Sequence, residues 1–446
     1  MYPFPNAPWH GAGANACISL RFFLPTLFAL LLTSAANAET SHSALTLSSA
    51  LERTLDNSPS LKLYVFRKEA LQGAAYTANL RPGYEIELEA ENFAGSGDTE
   101  AFDSAELTVS LSSVMELGDK RNARSGLVTN TRSMLDTQLR LESLAVLAEV
   151  TRRFVETLST QARLELNKEA LKLAEEAAKS VQKRVSAGAA SAAEAKRAQS
   201  ALAMARLMQS SAEQRFDTSK VSLAALWGES IPSFDSVEGD LFNFGTDISL
   251  EELYIALENN PAIAIYADEE RVADAEIRLA RSQSKADLGW SFGIRRIRET
   301  DDTALVAGLS MPLFSERRNA GEVSRLRAQK NSIAVEREAD ILKLRALLFS
   351  AYSARQQAIV TVEQLQTNVI PALEDALRQT RLGYQRGRFS YLEYISVAKE
   401  LLESKMMLIE TAAAVLTYGA EIEQLSASAL TANPSTPIGQ GPGEKQ

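Results

Sequence analysis

The chain has 446 residues, 57 acidic against 47 basic, with two histidines and one cysteine, for a formal net charge of −10. No basic cluster is present to neutralise phosphates, which excludes nucleic acid as a partner, and the scarcity of histidine and thiol excludes a dedicated zinc or copper site, so no cofactor is expected. No stretch beyond residue 38 reaches 18 consecutive apolar residues, so any membrane crossing must be made by β-strands.

In chain order, residues 1–38 read as an export signal: Arg21, the apolar run from Phe22 to Leu32, then the small-residue site Ala36-Asn37-Ala38. The apolar core is about a dozen residues, short of the roughly 20 that span a bilayer. Cleavage near Glu39 removes Arg21 and takes the net charge from −10 to −11. It leaves His42 as the only histidine. Cys17 precedes the apolar core, so the mature chain has no cysteine to carry a lipid.

The mature chain contains an internal repeat. LERTLDNSPSLKLY at 51–64 returns as LYIALENNPAIAIY at 253–266, LGDKRNA at 117–123 as FSERRNA at 314–320, and AGAASAAE at 187–194 as RGRFSYLE at 386–393. Three matches in one order, at offsets of 197 to 202 residues, define two copies, 39–227 and 248–430. Residues 228–247 link them, and the Pro- and Gly-rich tail 431–446 has a disordered composition.

Each copy predicts a helix, two strands and two long helices. Residues 84–93 alternate Tyr84, Ile86, Leu88 and Ala90 against Glu85, Glu87, Glu89 and Glu91, a strand with one apolar and one acidic face. Its partner is 105–112. The second copy places strands at 288–295 and 305–311, and all four match the length of a tilted membrane strand. Helix is predicted from 120 to 227 and from 317 to 426, with Pro371 as the one breaker. Seven-residue repeats of Leu164, Leu171, Ala178 and Val185, and of Leu344, Ala351, Ala358 and Leu365, mark packing seams. A helix over 120–186 would run roughly 100 Å at 1.5 Å per residue. Gly188 and Gly387 mark reversals between antiparallel helices.

Four strands cannot close a barrel, and an open edge in lipid leaves backbone groups unsatisfied, so oligomerisation is required. Three chains would give twelve strands and a polar lumen lined by the glutamate face, with lipid against the apolar face.

The tandem copies, four strands and helical hairpins resemble the TolC family of outer-membrane efflux proteins over nearly the whole mature chain. MELGDKRNAR at 115–124 and MPLFSERRNAG at 311–321 resemble the strand-to-helix junctions of its cobalt-zinc-cadmium branch. The resemblance implies a mainly α fold with a membrane β-barrel: a homotrimer whose 12-strand barrel continues into a helical barrel across the periplasm. It also implies docking to a periplasmic adaptor and an inner-membrane RND pump, and export of heavy-metal cations. Multidrug efflux and type I secretion are the alternatives. The chain departs from many relatives of that branch in offering no cysteine for a lipid at the mature N-terminus.

Glu194 and Glu393 follow the two turn glycines at equal distance, a place where the family carries acids lining the periplasmic entrance. Three chains would gather six carboxylates there, raising their pKa values and selecting cations. Arg381, Arg386, Arg388 and Tyr391 surround the second turn and are candidates for a latch on those acids. Gly188, Ser191, Gly387 and Ser390 form the turns, which in the family meet the adaptor. Arg121 and Arg318 are expected to satisfy helix or strand ends below the membrane. No Ser/His/Asp set, paired-carboxylate cleft or phosphate loop argues for an enzyme, and an adaptor would show one hairpin flanked by lipoyl-like β segments.

Overall fold

A computed structural model of the protein describes residues 44–313 and 315–430. The expected export signal, His42 and the C-terminal tail lie outside these residues.

The first copy opens with β1 (Ala44–Thr46), α1 (Leu47–Asn57) and α2 (Pro59–Ala78). One helix was expected here, and the structure has two. Ser58 leaves helical geometry at ψ 124° because the next residue is proline, which disfavours the α region for its predecessor and is well suited to the first helical turn. The second copy repeats the break between α5 (Leu250–Glu258) and α6 (Pro261–Gln283), where the Asn260 side chain caps Ala262 N–H at 2.8 Å.

Four strands follow the pattern read from alternation: β2 (Tyr84–Glu91), β3 (Glu106–Met115), β5 (Leu288–Ile297) and β6 (Asp302–Ser310). They form one antiparallel sheet in the order β2-β3-β5-β6. The cross-strand rows Ile86–Leu111–Phe292–Ala307 and Leu88–Val109–Ile294–Leu305 lie on one face. The opposite face carries the rows Glu87–Ser110–Gly293–Val306 and Glu89–Thr108–Arg295–Ala304. Period-two alternation therefore sorts apolar from polar across β2, β3 and β5, while β6 places Val306 and Ala304 on the polar side.

The helices are long. α3 (Lys120–Ser186) has 67 residues and pairs with α4 (Ala192–Ala224). In the second copy α7 (Ser315–Gln364) passes through the π-turn Leu365–Val369 into α8 (Ile370–Gln385), and α9 (Tyr391–Ser426) returns. The π-turn sits just before Pro371, whose ring would clash with the carbonyl four residues back and which offers no N–H; the wider turn absorbs the mismatch and the chain stays helical.

The largest apolar core lies where the linker crosses the helices. Phe234, Val237 and Leu241 are buried against Val150, Phe154 and Leu158 of α3, together with Trp227. Within the linker, β4 (Ser236–Glu238) pairs in parallel with β1, and the Gln161 amide both donates to Val237 O at 3.0 Å and accepts from Val237 N–H at 2.9 Å. This small sheet was not foreseen, because three-residue strands leave no periodicity to read.

Candidate functional site at the helical turns and sheet face

Both helical turns are built alike. Helix α3 ends with Gly188 at φ 72°, and α8 ends with Gly387 at φ 76°, a left-handed conformation that glycine adopts without a Cβ penalty. Ala189 N–H donates back to Arg184 O, and Arg388 N–H to Gly383 O, each at 2.8 Å. The next helix then starts on a serine: Ser191 Oγ accepts from Glu194 N–H and Ser390 Oγ from Glu393 N–H, both at 3.2 Å. Gly188, Ser191, Gly387 and Ser390 thus occupy the turn positions read from the repeat.

The two glutamates differ in the single chain. Glu393 is exposed and completes a capping box, accepting from Ser390 N–H at 2.7 Å and from its hydroxyl at 2.8 Å. These bonds hold its carboxyl below the usual range, opposite to the rise expected from crowding. Glu194 is half-buried.

Beneath the turns, Tyr384, Tyr391 and Tyr394 are buried with Ala177, Val181 and Ala198. Burial pushes the hydroxyl pKa values of all three tyrosines up. Arg184 crosses from the first hairpin to the second: it donates to Tyr384 O and, at 3.1 Å, to Ala189 O, with its guanidinium 4.6 Å from the Tyr384 ring centroid.

The expected latch is arranged differently within the chain. Arg381 pairs with Glu176 of α3 at 2.9 Å rather than with either turn glutamate. Tyr391 is a core residue, its ring 6.2 Å from that of Tyr384. Arg386 and Arg388 are exposed and make no ion pair among the described residues. Arg184, the residue that does join the turns, was missed. Its position in the first hairpin gives no hint that it reaches the second.

The strand-to-helix junction also differs from expectation. Arg124, one turn beyond Arg121, donates to Glu116 at 2.5 and 2.9 Å and to Leu80 O at 3.2 Å, while Lys120 pairs with Asp287 at 2.6 Å. The Arg318 side chain is outside the described residues. Both side chains stand in the quoted motif and bind residues that flank the strands. On the polar face of that sheet Arg295 pairs with Glu106 at 2.8 Å and Glu91 at 3.1 Å. Glu85, Glu87 and Glu89 stand exposed beside them.

Among known families, the one described as outer membrane efflux protein matches residues 50–229 and 253–428, so its two segments cover both copies. The chain belongs to the outer membrane efflux protein family. Among curated relatives it is 26% identical to the cobalt-zinc-cadmium resistance protein CzcC of Cupriavidus metallidurans, over 81% of this chain and 85% of that one. Among solved structures it resembles a membrane protein from Pseudomonas aeruginosa, with TM-score 0.71 and 17% identity over 87% of this chain and 91% of that one. It also resembles the open state of the MtrE outer membrane channel of Neisseria gonorrhoeae, with TM-score 0.69 and 16% identity over 87% and 91% of the respective chains. As an outer membrane efflux protein the chain has no helix, among the described residues, long and apolar enough to cross a membrane.

Proposed function

We propose that the protein is the outer-membrane exit duct of a tripartite efflux system, working as a homotrimer with a periplasmic adaptor and an inner-membrane RND pump, and that it passes heavy-metal cations. The observation that carries this reading is the four-stranded sheet. Its apolar face is bare, with Ile86 at 80%, Leu305 at 86% and Leu309 at 76% exposure, far beyond what a water-soluble surface gathers in one patch. Its other face bears carboxylates, and the outer edges of β2 and β6 are both unpaired among the described residues. Three such sheets closed edge to edge give twelve strands with lipid outside and an acidic lumen inside, and no open edge remains. Tyr84 and Trp290, 6.2 Å apart at the helical end of the sheet, suit the aromatic girdle of such a barrel. The duct performs no covalent chemistry; the pump supplies the work.

In this reading residues 1–38 are removed on export, 39–227 and 248–430 are the two repeats, 228–247 join them, and 431–446 follow the second repeat. The turns face the periplasm. Glu194 and Glu393 of three chains form an acidic ring at the entrance, Arg386 and Arg388 are the cations free to approach it from a neighbouring chain, and the turn residues meet the adaptor. The name of the relative CzcC supports metal cations as cargo over drugs or polypeptides.

The purified protein should be a trimer in detergent by light scattering and should form cation-selective channels in planar bilayers. A deletion strain should become sensitive to cobalt, zinc or cadmium. A monodisperse, non-conducting monomer would end the channel reading; a trimeric channel whose loss leaves metal tolerance intact would end only the assignment of cargo.

A further inference from the structure

A cleft of about 500 Å³ lies at the end of the sheet away from the helices, with Ala90, Phe93, Phe102, Leu107, Arg296 and Arg298 along its walls. Strand alternation fixes the face on which it opens. Ala90, Leu107 and Arg296 form the cross-strand row next after Leu88–Val109–Ile294, so they stand on the apolar face. Arg298, two residues further, lines the same cleft. A guanidinium at the end of an apolar row is out of place in hydrocarbon unless it reaches the headgroups.

The length of the strand puts it there. Trp290 stands at the helical end of the sheet, and Arg298 lies eight residues beyond, about 27 Å along an extended strand and about 20 Å in height at a tilt near 40°. The apolar band of an outer-membrane barrel is about 25 Å tall, so both arginines fall near its far boundary. Phe93 and Phe102 mark the same level. Their rings are stacked at 6.3 Å with 5° between the planes, and both are exposed, as suits a second aromatic girdle opposite Tyr84 and Trp290.

Two carboxylates also line the cleft, and each is engaged. Glu106 belongs to the polar face, where it accepts from Arg295 at 2.8 Å, and Asp301 pairs with Arg296. The Asp301 side chain is 86% exposed, so water readily replaces that partner. Arg298 is exposed and makes no ion pair among the described residues. An uncharged lipid leaves the guanidinium groups unused, and a small soluble anion leaves the apolar floor of Ala90 and Leu107 unused. A lipid that carries phosphate uses both, because the guanidinium fork matches phosphate oxygens. Resting on the reading of the sheet as part of a lipid-facing barrel, we propose that this cleft holds a phosphorylated glycolipid of the outer leaflet. Its phosphate meets Arg298 and Arg296, and an acyl chain lies along Ala90 and Leu107. All these residues come from one chain, so each subunit carries a complete site.

Native mass spectrometry of the detergent-purified protein with added lipid A, a glycolipid bearing two phosphates, tests the assignment. Up to three bound lipids per trimer are expected. Arg296→Ala/Arg298→Ala should weaken retention about tenfold, whereas Arg81→Ala, which removes an exposed cation before β2, should not. The wild-type protein should hold the same glycolipid stripped of its phosphates about tenfold less well, a comparison that needs no variant. Excess inorganic phosphate should leave the lipid bound; displacement would mark a site for the free anion and overturn the lipid assignment. Equal retention by the double variant, or equal retention of the phosphate-free glycolipid, overturns the inference and leaves the channel reading standing. A wild-type monomer that does not conduct overturns both.

Discussion

Arg184 ties the turn of the first hairpin to that of the second, and Arg184→Ala should loosen both turns without unfolding the protein. Its guanidinium donates to two carbonyls, Tyr384 O and Ala189 O, and stacks on the Tyr384 ring. Bonds from a charged donor contribute about 1.5–3 kcal/mol each, and a partly exposed cation–π contact about 0.5–1 kcal/mol. Water can reach the turn carbonyls once the side chain is gone, which recovers much of this and leaves a loss of about 2 kcal/mol. At the end of a long hairpin that loss is felt as local opening, so hydrogen exchange of residues 186–194 and 383–392 should speed up roughly 30-fold while the core around Phe154 and Trp227 is unchanged. Arg184→Lys should fall between, since an ammonium cannot fork to both carbonyls. Wild-type exchange rates at the turns of Arg184→Ala would refute the idea that this residue holds them together.

Three further outcomes are expected. Arg355, 2% exposed, donates to Asp247 at 2.7 Å and Phe244 O at 2.6 Å, so Arg355→Ala should loosen the linker from α7 and lower stability by about 2 kcal/mol, read as an earlier thermal transition; no change would show that the linker core holds without it. Glu194→Gln/Glu393→Gln should keep the fold, because Gln also closes a capping box, but should reduce cation preference measured as reversal potential across a salt gradient; unchanged selectivity and divalent block would make these ordinary surface residues. The Glu393 carboxyl is depressed in the folded chain, so the stabilisation of the second turn is present above the ordinary glutamate range and is lost as pH falls through the lower folded value. Exchange at 388–394 should therefore rise on acidification, after correction for its intrinsic pH dependence, in wild type but not in Glu393→Gln.

Much of the fold was legible because it repeats. Strand faces, helix spans and the two glycine turns follow from alternation, composition and register between copies, all of which are local properties. Contacts between segments distant in sequence were not legible. Arg184 and Arg124 act across 200 and 44 residues, and nothing in their neighbourhoods distinguishes them from Arg381 and Arg121. The π-turn at Leu365–Val369 could be suspected from Pro371, but whether a proline stops a helix or widens it depends on neighbours such as Leu401, which packs there.

The acidic strand β2 also governs how copies can meet. As an edge strand it invites any other edge, and two β2 strands side by side in antiparallel fashion would set glutamate against glutamate along their length, a cross-strand arrangement that destabilises pairing. The other edge, β6, presents Ser310, Gly308, Val306 and Ala304 on the same face, with a charge only at Asp302 by the outer loop. Glu85, Glu87 and Glu89 therefore permit β2 to join β6 and discourage it from joining itself. In the proposed trimer the glutamate row would give each subunit a head and a tail: before any lumen exists, it would steer growth away from back-to-back dimers and toward a ring.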